Sequence, residues 1–184
     1  MGNFKLIHKI RNRLKIDKST QLEINKNVKL VGCKIIIRGK NNRLIIEDGV
    51  KIHRSTIEVM GNNCLVKIGK NSMIGDNCYL MTKEESTHLI VGEECSLSRN
   101  VKMMASDGHP IFKDGKRINE AKSIIFESHI WIADNVTILK GVTIGSESVI
   151  GINSMVTKDI PKNVVAVGNP ARVVQNGIKW KEKF

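Results

Sequence analysis

Residues 130–160 read IWIADNVTILKGVTIGSESVIGINSMVTKDI, and within them Ile132, Ile138, Ile144, Ile150 and Val156 return at every sixth position. Four residues after each comes a second inward candidate: Val136, Val142, Ser148, Ser154 and then Ile160. A helix repeats its apolar face every 3.6 residues and a strand every 2, so neither period explains a strict beat of six. A unit of one short strand plus a corner does explain it. An aliphatic residue points inward from each strand, and a small or branched residue fills each corner. Three units close one triangular coil of roughly eighteen residues, and coils stack with each strand pairing to its equivalents above and below. The expected fold class is an all-β solenoid, a parallel β-helix.

The beat recurs upstream but loses phase. Ile68-Gly69-Lys70-Asn71-Ser72 leads to Ile74-Gly75-Asp76-Asn77-Cys78, and Val91-Gly92-Glu93-Glu94-Cys95 leads to Leu97, Val101 and Met103. Val31-Gly32-Cys33-Lys34-Ile35 and Ile46-Glu47-Asp48-Gly49-Val50 are looser copies. With no linker-like stretch between them, the expected organisation is a basic amphipathic segment over 1–19, a β-helix domain over 20–161 with an inserted loop at 105–122, and a C-terminal extension over 162–184.

Residues 129–172, which continue from His129 through the beat to NVVAVGNPAR, resemble the C-terminal signature of the hexapeptide-repeat acyltransferases. This left-handed β-helix family includes maltose, galactoside and capsule or O-antigen sugar acetyltransferases. The likeness covers the last half of the chain well and the first half only through its repeat. It implies a left-handed coil, against the usual right-handed crossover preference, and a homotrimer with active sites between neighbouring subunits.

The long interruption of the beat, ASDGHPIFKDGKRINEAK over 105–122, is where chemistry is expected. An insertion at a corner can lie outside the stacked strands without breaking them. His109-Pro110 resembles the histidine-proline pair that carries the catalytic histidine in maltose-type enzymes, and Ser106-Asp107-Gly108-His109 resembles the capsule and O-antigen branch. Acyl transfer to an alcohol needs a base, and an imidazole, with an ordinary pKa near 6.5, can take the hydroxyl proton and return it to a departing thiolate. His109 is therefore the candidate general base, the bland reading being a loop histidine bonded to a carbonyl. Asp107 could accept the other imidazole N–H and steady the imidazolium, or serve as the turn residue of Asp-Gly. Asn119 matches an arginine-isoleucine-asparagine element of the same branch, suited to ordering the loop or contacting the acceptor.

Trp131 lies between two inward residues, Ile130 and Ile132, so alternation turns its indole outward. The resemblance implies an active-site place for it, against the thioester or the acceptor sugar; a subunit-interface contact is the other reading. The resemblance also implies an acetyl-CoA donor lying along a groove between subunits, near the turn residues Ala133, Gly151 and Ile152, with Lys158 and Arg172 close to its phosphates. Ala133 and Glu127 depart from the glycine usual at such turns. After Pro161 the beat ends. Pro170 is expected to open a short helix carrying Val173 and Val174, and the tail through Trp180 to pack back along the solenoid.

Composition sets the remaining expectations. Formal charge is +12 over 184 residues, densest at the start, where Lys5, Lys9, Arg11, Arg13, Lys15 and Lys18 interleave with Phe4, Ile7, Ile10 and Leu14 at helical spacing. That pattern fits a helix capping the open solenoid end or a surface helix drawn to anionic lipid. With only seven aromatic residues and no reading motif, nucleic acid is not an expected partner. No apolar run is long enough to span a bilayer and no signal peptide is evident, so the expected location is the cytoplasm, with possible contact at the inner membrane face. The four cysteines, Cys33, Cys64, Cys78 and Cys95, lack zinc spacing, and Cys78 and Cys95 fall on small corner positions; buried reduced thiols are expected. No resident metal is expected. A zinc carbonic anhydrase on the same coil would need three converging histidines, and His88, His109 and His129 are not paired at the short spacing such sites use. A non-catalytic scaffold has no need of His109 and Trp131. Within acyl transfer, a sugar hydroxyl is the favoured acceptor. An amino-sugar nitrogen is the alternative, the glycine-rich N-terminal domain common among nucleotide-sugar N-acetyltransferases not being visible here.

Overall fold

The computed structural model describes residues 12–181. They form three sheets, of seven, six and eight strands, parallel except for the last strand of the third, wrapped as the faces of a triangular prism. The first face starts at Arg13–Ile16, the second at Gln21–Ile24 and the third at Lys29–Val31, and the chain visits the faces in that order on every coil. Inward columns run along each face. Ile35, Ile57, Leu80, Met103, Ile138 and Val156 line the first, while Ile46, Ile68, Val91, Phe126 and Ile144 line the second. Leu30, Ile52, Ile74, Leu97, Ile132, Ile150 and Ala166 line the third. All of these are buried. At roughly 1.5–3 kcal/mol per fully buried aliphatic or aromatic side chain, this continuous apolar axis is the main favourable term.

The coil length explains both the strict beat and its loss. Thr137 pairs with Met155, a step of 18 residues. Upstream, Arg13 pairs with Lys34 at a step of 21, Lys34 with Thr56 at 22 and Thr56 with Tyr79 at 23. The expectation of roughly eighteen residues per coil is therefore right only at the C-terminal end. Earlier coils have longer strands, such as Thr56–Asn62 and Tyr79–Glu85, and their extra residues shift the hexad phase. One coil is longer still: Lys102 pairs with Thr137, a step of 35, because the 105–122 segment leaves between the first and second faces.

Corners are held by side chains one coil apart. The amide of Cys33 donates to Asn12 Oδ1 at 2.8 Å, that of Cys64 to Asn42 Oδ1 at 2.9 Å, that of Cys78 to Ser55 Oγ at 2.8 Å, and that of Cys95 to Ser72 Oγ at 3.0 Å. All four cysteines are buried free thiols at corners. Burial raises the pKa of Cys33 and Cys78 and pushes Cys95 up to about 11. At another corner Asn77, Asn100, Asn135 and Asn153 adopt positive φ, and each side chain bonds the next at 2.7–3.0 Å, forming an asparagine ladder.

Neither expected helix is present among the described residues. Arg13–Ile16 is a strand paired in register with Lys34–Ile37, and Leu14 and Ile16 pack on the core. Alternation turns these two residues inward, and the strand pairs the backbone edge of Lys34–Ile37, which a helix at this point would leave without a partner. The rest of the expected basic helix, residues 1–11, lies outside the described residues. At the other end Val164–Gly168 continues the third face, reverses through Gly168 at φ +105°, and pairs antiparallel with Ala171–Asn176. Pro170 thus sits in a hairpin turn, and the β-branched Val173 and Val174 lie in an outer strand. Among the described residues there is no helix long and apolar enough to cross a membrane.

Candidate active site

The inserted segment is a built loop. It leaves the first face after Met104, with Ala105 and Ser106 buried, forms a two-stranded hairpin from Phe112–Lys113 and Lys116–Arg117, and returns where the Lys122 amide donates to Ala105 O at 3.0 Å. Its floor is Glu84, on the preceding coil. Glu84 Oε1 accepts Ser106 Oγ at 2.9 Å and Arg117 Nη2 at 2.7 Å, and the Arg117 hydrogen bond is the main cause holding the Glu84 carboxyl below its ordinary pKa. Glu84 takes a positive φ of 77° opposite Gly61, and a Cβ on Gly61 would stand 1.7 Å from the Glu84 carbonyl oxygen. Only glycine lets the backbone turn there and aim the carboxylate up into the loop.

A second anchor reaches down from the following coil. Lys140 Nζ lies 2.5 Å from Asp107 Oδ2, which also accepts Asn119 Nδ2 at 2.9 Å. These two bonds, Lys140 first, hold the Asp107 carboxyl below its ordinary pKa. Asn119 is only 6% exposed and ties the loop together: Oδ1 accepts the Ile111 amide at 2.6 Å and Nδ2 donates to the His109 carbonyl at 2.8 Å. Lys83 Nζ donates to Gly108 O at 2.8 Å. The backbone on both sides of His109 is thereby fastened, and its imidazole stands exposed with no hydrogen bond among the described residues.

This geometry corrects one expectation. Asp107 does not receive an imidazole N–H among the described residues; its carboxylate faces Lys140 and Asn119 and braces the loop. Asn119, expected to order the loop or contact the acceptor, is brought to the His109 carbonyl and the Ile111 amide. The anchors Glu84, Lys83 and Lys140 escaped sequence reasoning. They lie 22 to 33 residues from their partners, and only the stacking register brings them close.

Trp131 points outward on the third face and is 40% exposed, while Ile130 and Ile132 are buried. Its Nε1 donates to Ser98 Oγ at 3.3 Å, and its ring centroid lies 6.1 Å from that of Trp180. It does not share the corner from which the His109 loop leaves. The returning tail stacks Trp180 on His129 at 4.4 Å and donates Trp180 Nε1 to His129 O at 2.9 Å, as expected of a tail that packs back.

Ala133 and Gly151 occupy equivalent turns after third-face strands: the Ala133 amide donates to Ile150 O and that of Gly151 to Ala166 O, both at 2.9 Å. Ile152 is exposed beside them. Arg172 pairs with Val167, whose side chain lies over Gly151, and so belongs to this corner. Lys158 does not; it follows Met155–Val156 at the corner between the first and second faces. Among the described residues no group of three or more His, Cys, Asp or Glu is placed to hold a metal ion. His88 opens a second-face strand, His109 rides the loop, and His129 pairs with Glu147 at 2.9 Å.

No family model matches the chain. It is 38% identical over 138 residues to a polysialic acid O-acetyltransferase of Escherichia coli O1:K1 / APEC, covering 71% of this chain and 44% of that protein. It is 33% identical over 141 residues to a galactoside O-acetyltransferase of Lactococcus lactis subsp. lactis, covering 69% of this chain and 67% of the relative. The chain thus spans about half the length of the curated relatives it matches. Among solved structures it resembles the polySia-specific acetyltransferase NeuO, with TM-score 0.72 at 36% identity over 91% of both chains. A stacked hexapeptide coil, an anchored histidine loop and these likenesses converge, and the chain belongs to the hexapeptide-repeat acyltransferase family.

Proposed function

We propose that this chain is an acetyltransferase that moves the acetyl group of acetyl-CoA to a sugar hydroxyl in surface-polysaccharide synthesis, working as a homotrimer of left-handed β-helices. The observation that carries the reading is the loop over 105–122, whose backbone is clamped by Glu84, Asp107 and Asn119 while the His109 ring is left free. Rigid backbone with one unengaged imidazole is what a general base requires. The named relatives act on glycans, which supports a carbohydrate acceptor.

In this reading His109 removes the proton of the attacking hydroxyl as its oxygen bonds to the thioester carbonyl carbon. The carbon–sulfur bond then breaks, and the imidazolium returns the proton to the departing sulfur. Trp131 lies on a different face from the loop, so a second copy of the chain is what brings its indole to His109. The turns at Ala133 and Gly151, with Ile152 exposed and Arg172 on the same corner, suit a thin pantetheine arm and a phosphate. Lys158 would reach the cofactor only from another subunit's corner.

The test is a thiol-release assay with acetyl-CoA across sugars, amino sugars and glycan oligomers, with the product ester or amide identified by mass and by hydroxylamine lability. Turnover giving a labile ester supports the proposal. A stable amide on amino sugars would replace it with N-acetylation.

A further inference from the structure

Beside Trp131 the surface holds a hollow of about 260 Å³, lined by Asn71, Glu94, Cys95, Ser96, His129 and Trp180. It sits on the corner between the second and third faces, where Asn71, Glu94, His129 and Glu147 succeed one another, all at positive φ. The asparagine corner is built differently. There each side chain bonds the next coil, so the ladder is closed upon itself. Here the Glu94 carboxylate, the Asn71 amide and the Ser96 hydroxyl make no side-chain hydrogen bond or ion pair among the described residues. Glu147 is taken by His129, and only the lower three groups stay open.

Trp180 forms one wall. Its ring is fixed by stacking on His129, nearly parallel at 14°, and by the bond from Nε1 to His129 O. Trp131 is tilted 40° to it. Ser96 pairs in register with Trp131, so the hollow and the Trp131 surface are adjoining coils of one face, about 5 Å apart along the axis. An indole face beside an open carboxylate, amide and hydroxyl is the chemistry that recognises a pyranose, whose C–H bonds pack on the ring while its hydroxyls both donate and accept. The volume is below that of pockets for drug-sized ligands and suits one sugar ring.

We propose that this hollow is an acceptor subsite that binds the sugar unit next to the one being acetylated, with Trp180 as its stacking wall and Glu94, Asn71 and Ser96 as its hydroxyl partners. It rests on the glycan-acetyltransferase reading and makes a linked sugar chain a better acceptor than a single sugar. Trp180 and Glu94 are binding residues for the acceptor chain and take no part in proton transfer.

The experiment compares free sialic acid and free galactose with their linear trimers and hexamers in the full chain, as wild type and as Trp180→Ala, Trp180→Phe and Glu94→Gln. The expected result is a KM for oligomers raised about tenfold by Trp180→Ala and Glu94→Gln, with kcat within twofold and monomer KM unchanged. Trp180→Phe should recover most of the loss, because a ring still stacks. Glu94→Gln leaves the Trp180 packing intact and so separates binding from folding. An oligomer KM indifferent to both changes, or a KM raised equally for monomers, removes the subsite while leaving acetyl transfer standing. Absence of wild-type turnover on every carbohydrate removes the acetylation reading, and the subsite with it.

Discussion

Lys140 Nζ sits 2.5 Å from Asp107 Oδ2, joining the coil after the insertion to the turn two residues before His109. The pair sets the height at which the loop stands over the first face, and Asn119 carries that restraint on to the His109 carbonyl. The aspartate therefore reaches His109 through the backbone.

Asp107→Ala is expected to lower kcat/KM about tenfold by loosening the loop, with the acid limb of the pH–rate profile unmoved. Lys140→Met should give a similar loss. If Asp107 instead bonded the imidazole, its removal would displace that limb by about a unit, which a kcat/KM profile over pH 5–9 would detect.

Gly61→Ala places a methyl 1.7 Å from the Glu84 carbonyl and forces the strand pair apart at the point that supports the loop. The expected outcome is a lower melting temperature together with lower activity, from a residue remote in sequence from His109. Thermal unfolding and initial rates on the same preparation check it; a drop in neither would show that Glu84 is free to move.

The carboxyls of Glu84 and Asp107 are both held below their ordinary pKa, the first chiefly by Arg117 and the second chiefly by Lys140. A depressed carboxyl contributes stability that is present above its unfolded value, about 4, and is lost as pH falls through the lower folded value. Loop order should thus persist at pH 5 and weaken progressively as pH falls below about 4. Hydrogen exchange or limited proteolysis over 105–122 reads this directly, and loosening that begins near neutrality would contradict it.

The extent to which sequence reveals this protein follows from the geometry of its coils. The beat over Ile132 to Val156 is readable because coils there repeat every 18 residues, and the inward positions it marks are buried. Upstream steps of 21 to 23 preserve the inward alternation but not the hexad, so the first coils show only as loose copies. Leu14 fits helical spacing with its basic neighbours, yet its stretch pairs with Lys34–Ile37, a tertiary partner that local periodicity does not contain. The same is true of the site. Asp107 and His109 lie two residues apart in sequence and suggest a dyad, whereas Asp107's partner Lys140 is 33 residues away and becomes a neighbour only by stacking.

Cys95, with its pKa pushed up to about 11 by burial, should carry almost no thiolate at pH 8. Native protein is expected to react slowly with an aromatic disulfide reagent and to release four equivalents on unfolding, as all four thiols are free and buried. Rapid labelling of the native chain would mean that the corners open far more readily than their hydrogen bonds imply.

In the proposed mechanism the clamped loop presents His109 as the base for acetyl transfer. Its most direct measurement is the turnover of His109→Ala with acetyl-CoA and the best acceptor of the sugar panel, beside a check of folding and oligomeric state. In that mechanism kcat falls by roughly 10²–10⁴ while the fold and assembly are unchanged. A variant that turns over at the wild-type rate would contradict it.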